Sequence, residues 1–114
     1  MGQFTVGQVV SSVFPFSDLT SRKYRPALIV AIADFDDLIL CQITSKPYAS
    51  SLAIELSKTD FSKNGLPIKS YIRPDKLFTA DTSIVSKVYG ELKPSKLQQV
   101  HAALRDLFTE TTRQ

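Results

Sequence analysis

The sequence predicts a mainly β fold of the α+β kind: a small SH3-like antiparallel β-barrel with a long C-terminal helix, in one domain over residues 1–114. Three observations lead there. Short runs rich in β-branched and apolar residues recur between turn signals. Two of these, Arg25-Pro26-Ala27-Leu28-Ile29-Val30 and Leu38-Ile39-Leu40-Cys41-Gln42-Ile43-Thr44-Ser45-Lys46, flank the polar stretch Asp34-Phe35-Asp36-Asp37 and read as one hairpin. Near the C-terminus the period changes, with Leu97, Val100, Leu104, Leu107 and Phe108 recurring at helical spacing.

Taken in order, residues 6–14 suit a first strand, with Gly7 as a bulge or barrel corner. Residues 15–24 form a long loop, because Pro15, Ser17, Asp18, Ser21 and Arg22-Lys23 break any periodic pattern. The hairpin supplies strands two and three. A turn centred between Phe35 and Asp36 sets Arg25 opposite Lys46 and one diagonal step from Thr44. Leu28, Val30 and Ile32 then share a core face with Ile39, Cys41 and Ile43, while Arg25, Gln42, Thr44 and Lys46 share the other. Residues 51–56 alternate as a fourth strand. Residues 59–67, with Asn64-Gly65, read as a turn or irregular excursion. Residues 70–73 form a short strand stopped by Pro74, and residues 76–79 and 84–89 read as short strands or turns. Ser95-Lys96-Leu97-Gln98 matches a capping box at the start of the helix.

Bulk properties narrow the function classes. With 43% hydrophobic and 22% charged residues the chain is compositionally an ordinary globular protein, and 114 residues can bury roughly two-thirds of their unfolded surface. No apolar run approaches the ~20 residues that span a bilayer. The N-terminal residues lack the pattern of a signal peptide. A lone cysteine, Cys41, cannot form an internal disulfide, which fits a small core residue in a reducing, cytoplasmic setting.

The net charge is +3, and its distribution is more informative than its size. Arg22, Lys23, Arg25, Lys46, Lys69, Arg73, Lys76 and Lys87 fall mostly at strand ends or loops, the footprint of a polyphosphate ligand on a small barrel. On the polar hairpin face an arginine, a hydroxyl, an amide and an ammonium group together suit an anion. Phe16, Tyr24 and Tyr48 flank these basic groups, where an aromatic ring either stacks on an unpaired base or simply packs; Phe14 reads as core. Asp34, Asp36 and Asp37 occupy one hairpin tip, whereas a two-metal nuclease needs carboxylates converging from several elements. His101 is the only histidine and falls on the helix flank, so two-histidine acid–base chemistry is excluded.

Val13-Phe14-Pro15-Phe16-Ser17-Asp18-Leu19, the two hairpin strands, Asp60-Phe61, Gly65-Leu66, Arg73-Pro74-Asp75-Lys76-Leu77 and Gly90-Glu91-Leu92 follow one another in an order that closely resembles the PemK/MazF-like family of bacterial toxins. The resemblance runs over nearly the whole chain. It implies a PemK-like barrel that forms a homodimer and acts as a metal-independent, cofactor-free, sequence-specific endoribonuclease on single-stranded RNA. It also implies a cognate antitoxin that covers the RNA site. Many relatives carry Gly-Asp at the start of strand one, where this chain has Gly7-Gln8; that acid is not among the residues the family uses for cleavage.

Such cleavage uses the ribose 2′-hydroxyl as nucleophile and leaves a 2′,3′-cyclic phosphate and a 5′-hydroxyl. It needs a proton acceptor, a group that steadies the negative phosphorane and a proton donor for the departing oxygen. Arg25 suits the second task, because its planar donors bind two oxygens at once. The resemblance makes it a candidate acid as well. Thr44 and Ser45 supply hydroxyl donors at the same strand end. Arg73 and Asp75 are a second pair, read either as catalytic or RNA-contacting residues or as a loop-fixing salt bridge, with Asp75 as a candidate base. Phe16, Arg22, Lys23, Tyr24, Gln42, Lys46, Tyr48 and Lys76 are the candidate RNA contacts. Two other readings compete: a non-enzymatic gyrase-binding toxin of the same barrel, against which the absence of tryptophan counts, and an RNA-binding relative that no longer cleaves.

Overall fold

The computed structural model describes residues 4–14, 23–48 and 50–109. Seven strands form one antiparallel sheet: β1 (Gln8–Val13), β2 (Tyr24–Ile32), β3 (Asp37–Thr44), β4 (Ile54–Leu56), β5 (Phe61–Asn64), β6 (Ser70–Asp81) and β7 (Val85–Leu92). Their spatial order is β4-β6-β3-β2-β1-β7-β5, and a single helix α1 (Pro94–Thr109) closes the described chain. The sheet curls into a half-barrel with apolar clusters on both faces. Val9, Leu28, Val30, Cys41, Ile43, Ile72 and Leu92 meet Val100, Ala103 and Leu104 of α1 on one face. Val10, Phe14, Ala27, Ile29, Leu38, Leu40, Phe78 and Ala80 form the other.

The hairpin forms as expected, but its register differs by up to two residues. Phe35 and Asp36 both take positive φ, 61° and 67°, the signature of a type I′ turn, which matches the twist of the flanking strands. Leu38 pairs with Ile32 and Ile39 with Ala31, and then Val30 is passed over, so that Leu40 meets Ile29 and Gln42 meets Ala27. Val30 is a β-bulge, which no local sequence signal announces. Continued to the strand ends, this register sets Arg25 opposite Thr44 rather than Lys46. Between the turn and the bulge the shift is one residue, which sets Ile32 beside Leu38 instead of Ile39; beyond the bulge it is two, which keeps the side chains there on their expected faces. The Leu28, Val30, Ile39, Cys41, Ile43 face is indeed core, although Ile32 is exposed. The opposite face is polar only at its open end, since Ala27, Ile29, Leu38 and Leu40 are buried there.

A bulge leaves a carbonyl without a ladder partner. His101 supplies one: its Nε2 lies 3.0 Å from the Val30 carbonyl oxygen, so the proton sits on Nε2, and the half-buried ring ties α1 to β2. The only histidine thus has a structural task rather than a place on a free helix flank.

Further along, three expectations are corrected. Part of the stretch 59–67 is a strand, β5, because its backbone pairs with β7 at Phe61–Leu92 and Asn64–Gly90. Pro74 does not stop its strand. The ladder runs Gln42–Arg73 then Cys41–Leu77, so Pro74-Asp75-Lys76 bulge out of it and no rung asks for the missing proline N–H. The helix begins at Pro94, before Ser95. The Lys93 carbonyl accepts from the amides of Lys96 and Leu97 at 3.0 and 3.1 Å, and proline fills the first helical position, where its missing N–H costs nothing. Gly7 likewise precedes β1 rather than lying within it. With φ of 102° it donates to the Ile29 carbonyl and accepts from the Leu92 amide, both at 2.9 Å, stitching β2 to β7.

Asp60 anchors the helix start. Its carboxylate accepts from the Ser57 amide at 2.8 Å and faces Lys96 Nζ at 3.6 Å, while its carbonyl accepts from the Lys93 amide at 2.9 Å. At Gly90 the β5 backbone crosses so closely that a Cβ would lie 2.6 Å from the Lys63 carbonyl oxygen and 2.7 Å from the Gly65 nitrogen. Backbone cannot yield as a side chain does. Gly90→Ala is therefore expected to lower stability by about 2–3 kcal/mol, read from urea unfolding of the two proteins. His101→Leu is expected to cost about 1–2 kcal/mol in the same assay, the scale of a buried carbonyl left without a donor.

Candidate functional site

The strand ends near Arg25 enclose a cavity of about 300 Å³, at the lower end of the range for ligand pockets. Its lining joins Arg25, Pro26, Ile43, Thr44, Ser45 and Lys46 from β2, β3 and the turn after β3 with Leu66, Pro67, Ile68, Ser70 and Tyr89. Of the sequence candidates, this brings together Arg25, Thr44, Ser45 and Lys46. The guanidinium of Arg25 lies 5.8 Å from the centre of the buried Phe14 ring, which is itself held edge-on by Phe78 at 5.3 Å. Cation–π attraction of this kind is worth about 0.5–1 kcal/mol at an exposed site and limits where the group can swing. Among the described residues no carboxylate lies within ion-pair distance of Arg25.

Thr44 ends β3, where its Oγ1 accepts from the Lys46 amide at 3.1 Å. That bond occupies an oxygen lone pair and leaves the hydroxyl proton to donate. It also fixes the turn that carries Ser45 and Lys46 to the cavity rim.

Arg73 and Asp75 form a separate cluster. The guanidinium donates to both carboxylate oxygens, at 2.8 Å from a terminal nitrogen and 3.3 Å from Nε, and the Ser50 hydroxyl donates at 3.1 Å. Burial alone would push the Asp75 carboxyl up; the hydrogen bonds from Arg73 and Ser50 and the guanidinium charge outweigh it and hold the group below the ordinary range. Neither residue lines the cavity. The bulge at Pro74-Asp75-Lys76 is what carries Asp75 back onto Arg73. Gln42 stands between the two clusters, paired with Ala27 and Arg73, and its Oε1 is buried with no hydrogen-bond partner among the described residues.

The other candidates lie further out. Tyr24 starts β2 with Lys23 just before it, neither lining the cavity; Tyr24 is 54% exposed, and Tyr48, in the turn after β3, is 95% exposed. Lys76 lies in the β6 bulge. Phe16 and Arg22 lie outside the described residues. Electrostatically the basic footprint is narrower than the sequence count suggests. Arg73 is paired with Asp75 and Lys69 with Glu55, whereas Lys87 lies 4.9 Å from the Tyr89 ring. Sequence reasoning missed the apolar wall. Leu66 and Pro67 fall in the stretch 59–67 that reads as a turn or irregular excursion, Ile68 lies just after it, and Tyr89 falls in a stretch that reads as strand or turn; an aromatic beside a glycine in a β-run is the available signal.

Cys41 is fully buried, and burial, with the Asp75 charge adding to it, pushes its thiol up to about 12. It is core, not chemistry. Among the described residues no three histidine, cysteine or acidic side chains converge as a metal site, and no helix is long and apolar enough to cross a membrane.

The sequence profile of the PemK-like, MazF-like toxins of type II toxin–antitoxin systems matches residues 6–108. The chain belongs to this toxin family. Solved structures give the same fold at low identity. An endoribonuclease from a mycobacterial species, in complex with its cognate antitoxin, is 17% identical with a TM-score of 0.71, the match covering 95% of this chain and 97% of that one. MazF from Deinococcus radiodurans is 20% identical with a TM-score of 0.70, over 90% and 94% of the two chains. The MazE–MazF complex from the same organism gives 19% and 0.72, over 93% and 96%. No curated protein matches the sequence.

Asp75 carries a testable consequence. Because its folded-state titration lies below the unfolded value, the toxin gains stability from it that is complete above about pH 4 and is lost as pH falls through the folded pKa. Asp75→Asn should therefore unfold more easily than wild type at neutral pH, and the gap should close below about pH 4 in denaturant titrations run across pH.

Proposed function

We propose that this toxin is a metal-independent endoribonuclease that cuts single-stranded RNA, and that Arg25 and Thr44 are the centre of its active site. The observation that carries the reading is their meeting in one cavity, a bidentate cation and a hydroxyl donor at the ends of paired strands. In this reaction the 2′-oxygen attacks the adjacent phosphorus, the bond to the 5′-oxygen breaks, one proton leaves the 2′-hydroxyl and one reaches the 5′-oxygen. The products are a 2′,3′-cyclic phosphate and a 5′-hydroxyl.

Arg25 holds two non-bridging oxygens and stabilises the charge that builds on them, the kind of interaction that is strongest in the transition state. Thr44 donates a hydrogen bond from its hydroxyl to the same phosphate and keeps its proton, and Ser45 and Lys46 bind the backbone on either side. Asp75 is poorly suited as the base: its carboxylate is already engaged by Arg73 and Ser50 and its basicity is lowered. Arg73 and Asp75 instead brace the β6 bulge beneath the site. Lys23, Tyr24, Tyr48 and Lys76 extend the RNA path over the surrounding rim.

A cognate antitoxin is the expected protein partner, since neighbours of the same fold are solved as toxin–antitoxin complexes. A homodimer acting in the cytoplasm completes the proposal.

Purified protein incubated with long unstructured RNA in EDTA should give discrete cuts, mapped by primer extension. Arg25→Ala should slow them about a hundredfold, the scale of losing one transition-state donor. Intact RNA at stoichiometric protein would overturn the nuclease reading, and equal rates for the two proteins would overturn the assignment of Arg25.

A further inference from the structure

Tyr89 occupies an unusual backbone position. In the β1–β7 ladder Val10 pairs with Val88 and Val9 with Gly90, so Tyr89 is the extra residue of a bulge. Bulges re-aim side chains and are frequent beside active sites. Here the bulge brings Tyr89 into the lining of the cavity that Arg25 and Thr44 also line. Two further contacts fix it there. Its carbonyl accepts from the Gly65 amide at 3.1 Å, which ties it to the segment leading into Leu66-Pro67-Ile68, and Lys87 Nζ lies 4.9 Å from its ring centre. The half-buried Tyr89 packs against the core cluster and still lines the cavity, where Ile68 of the same lining is 61% exposed.

The cavity therefore has a lining of two kinds. Part of it is cationic and rich in donors, which suits a phosphate. The rest is apolar and aromatic, which an anion alone does not need. A ligand with a charged group next to a flat apolar ring satisfies both. We propose that Tyr89, with Leu66, Pro67 and Ile68, forms a stacking slot for the nucleobase adjoining the phosphate held by Arg25 and Thr44, and so takes part in choosing the cut site. This rests on the RNA-cleaving reading of the same cavity. Stacking accepts any base, so the slot's preference comes from its width and from the fit of the ring between Tyr89 and Ile68.

The test separates base from backbone. Fluorescence anisotropy in EDTA compares a labelled oligodeoxyadenylate, which has no 2′-hydroxyl to attack, with an abasic strand of equal length and charge. Wild type should bind the base-bearing strand about tenfold more tightly, within the range for one stacked base. Tyr89→Leu should keep the abasic affinity and lose that advantage, and Tyr89→Phe should retain it. Should Tyr89→Leu fold poorly, Ile68→Ser, at an exposed position, should reduce the advantage with an unchanged melting temperature. An advantage that survives in folded Tyr89→Leu, or in Ile68→Ser, overturns the slot, as does a wild type that binds both strands equally. Uncut RNA with the advantage intact would instead remove the nuclease reading and leave the slot standing.

Discussion

Which side chain of β2 faces which of β3 is decided by two backbone events, the left-handed pair Phe35–Asp36 at the turn and the single passed-over residue Val30. Together they place Arg25 across from Thr44 at the open end of the ladder. A register error of one residue would send these side chains to opposite faces, and an error of two would set Lys46, a point charge, where the hydroxyl now stands. The bulge has a cost, an unpaired carbonyl in a buried strand, and the imidazole of His101 meets it from the helix. The terminal helix and the candidate site are thus linked through one hydrogen bond at the middle of β2, and helix docking and site geometry belong to the same folded state.

The two basic–acidic clusters near the site show how the same residue types divide their tasks by geometry. Arg25 lies over the Phe14 ring, with no carboxylate at ion-pair distance among the described residues. Arg73 is held by a carboxylate, which uses its donors. The difference follows from the bulge of Pro74-Asp75-Lys76, which turns Asp75 back onto its neighbour. Ser50 reaches the same carboxylate from the β3–β4 connection, so the cluster clamps the base of that loop. The buried Gln42 oxygen, on the rung between Ala27 and Arg73, has no hydrogen-bond partner among the described residues.

Much of the architecture was legible from the residues alone. Alternation and turn chemistry gave the hairpin and its core face, helical spacing gave α1, and the collinear motifs gave the family. What escaped was governed by contacts distant in sequence. The Val30 bulge is compensated by a residue 71 positions away, and no local pattern signals it. Pro74 was read by the rule that proline ends a strand, which fails where the ladder skips three residues. β5 carries Asn64-Gly65, a turn signature, yet pairs because Gly90 leaves room for its backbone. The polar wall of the cavity came from strand pairing and so was visible in the sequence; the apolar wall came from the packing of β5 and β7 and was not.

Finally, the sheet ends in β4 and β5, of three and four residues. Glu55 on the first is paired with Lys69, and Lys63 on the second lies 3.9 Å from Glu91. Such brief, charged margins offer an incoming strand too few rungs to hold. At those two short strands the sheet therefore offers little template for growth from copy to copy, and the length of β6 beyond Ile72, which β4 leaves uncovered, is interrupted by the bulge at Pro74-Asp75-Lys76.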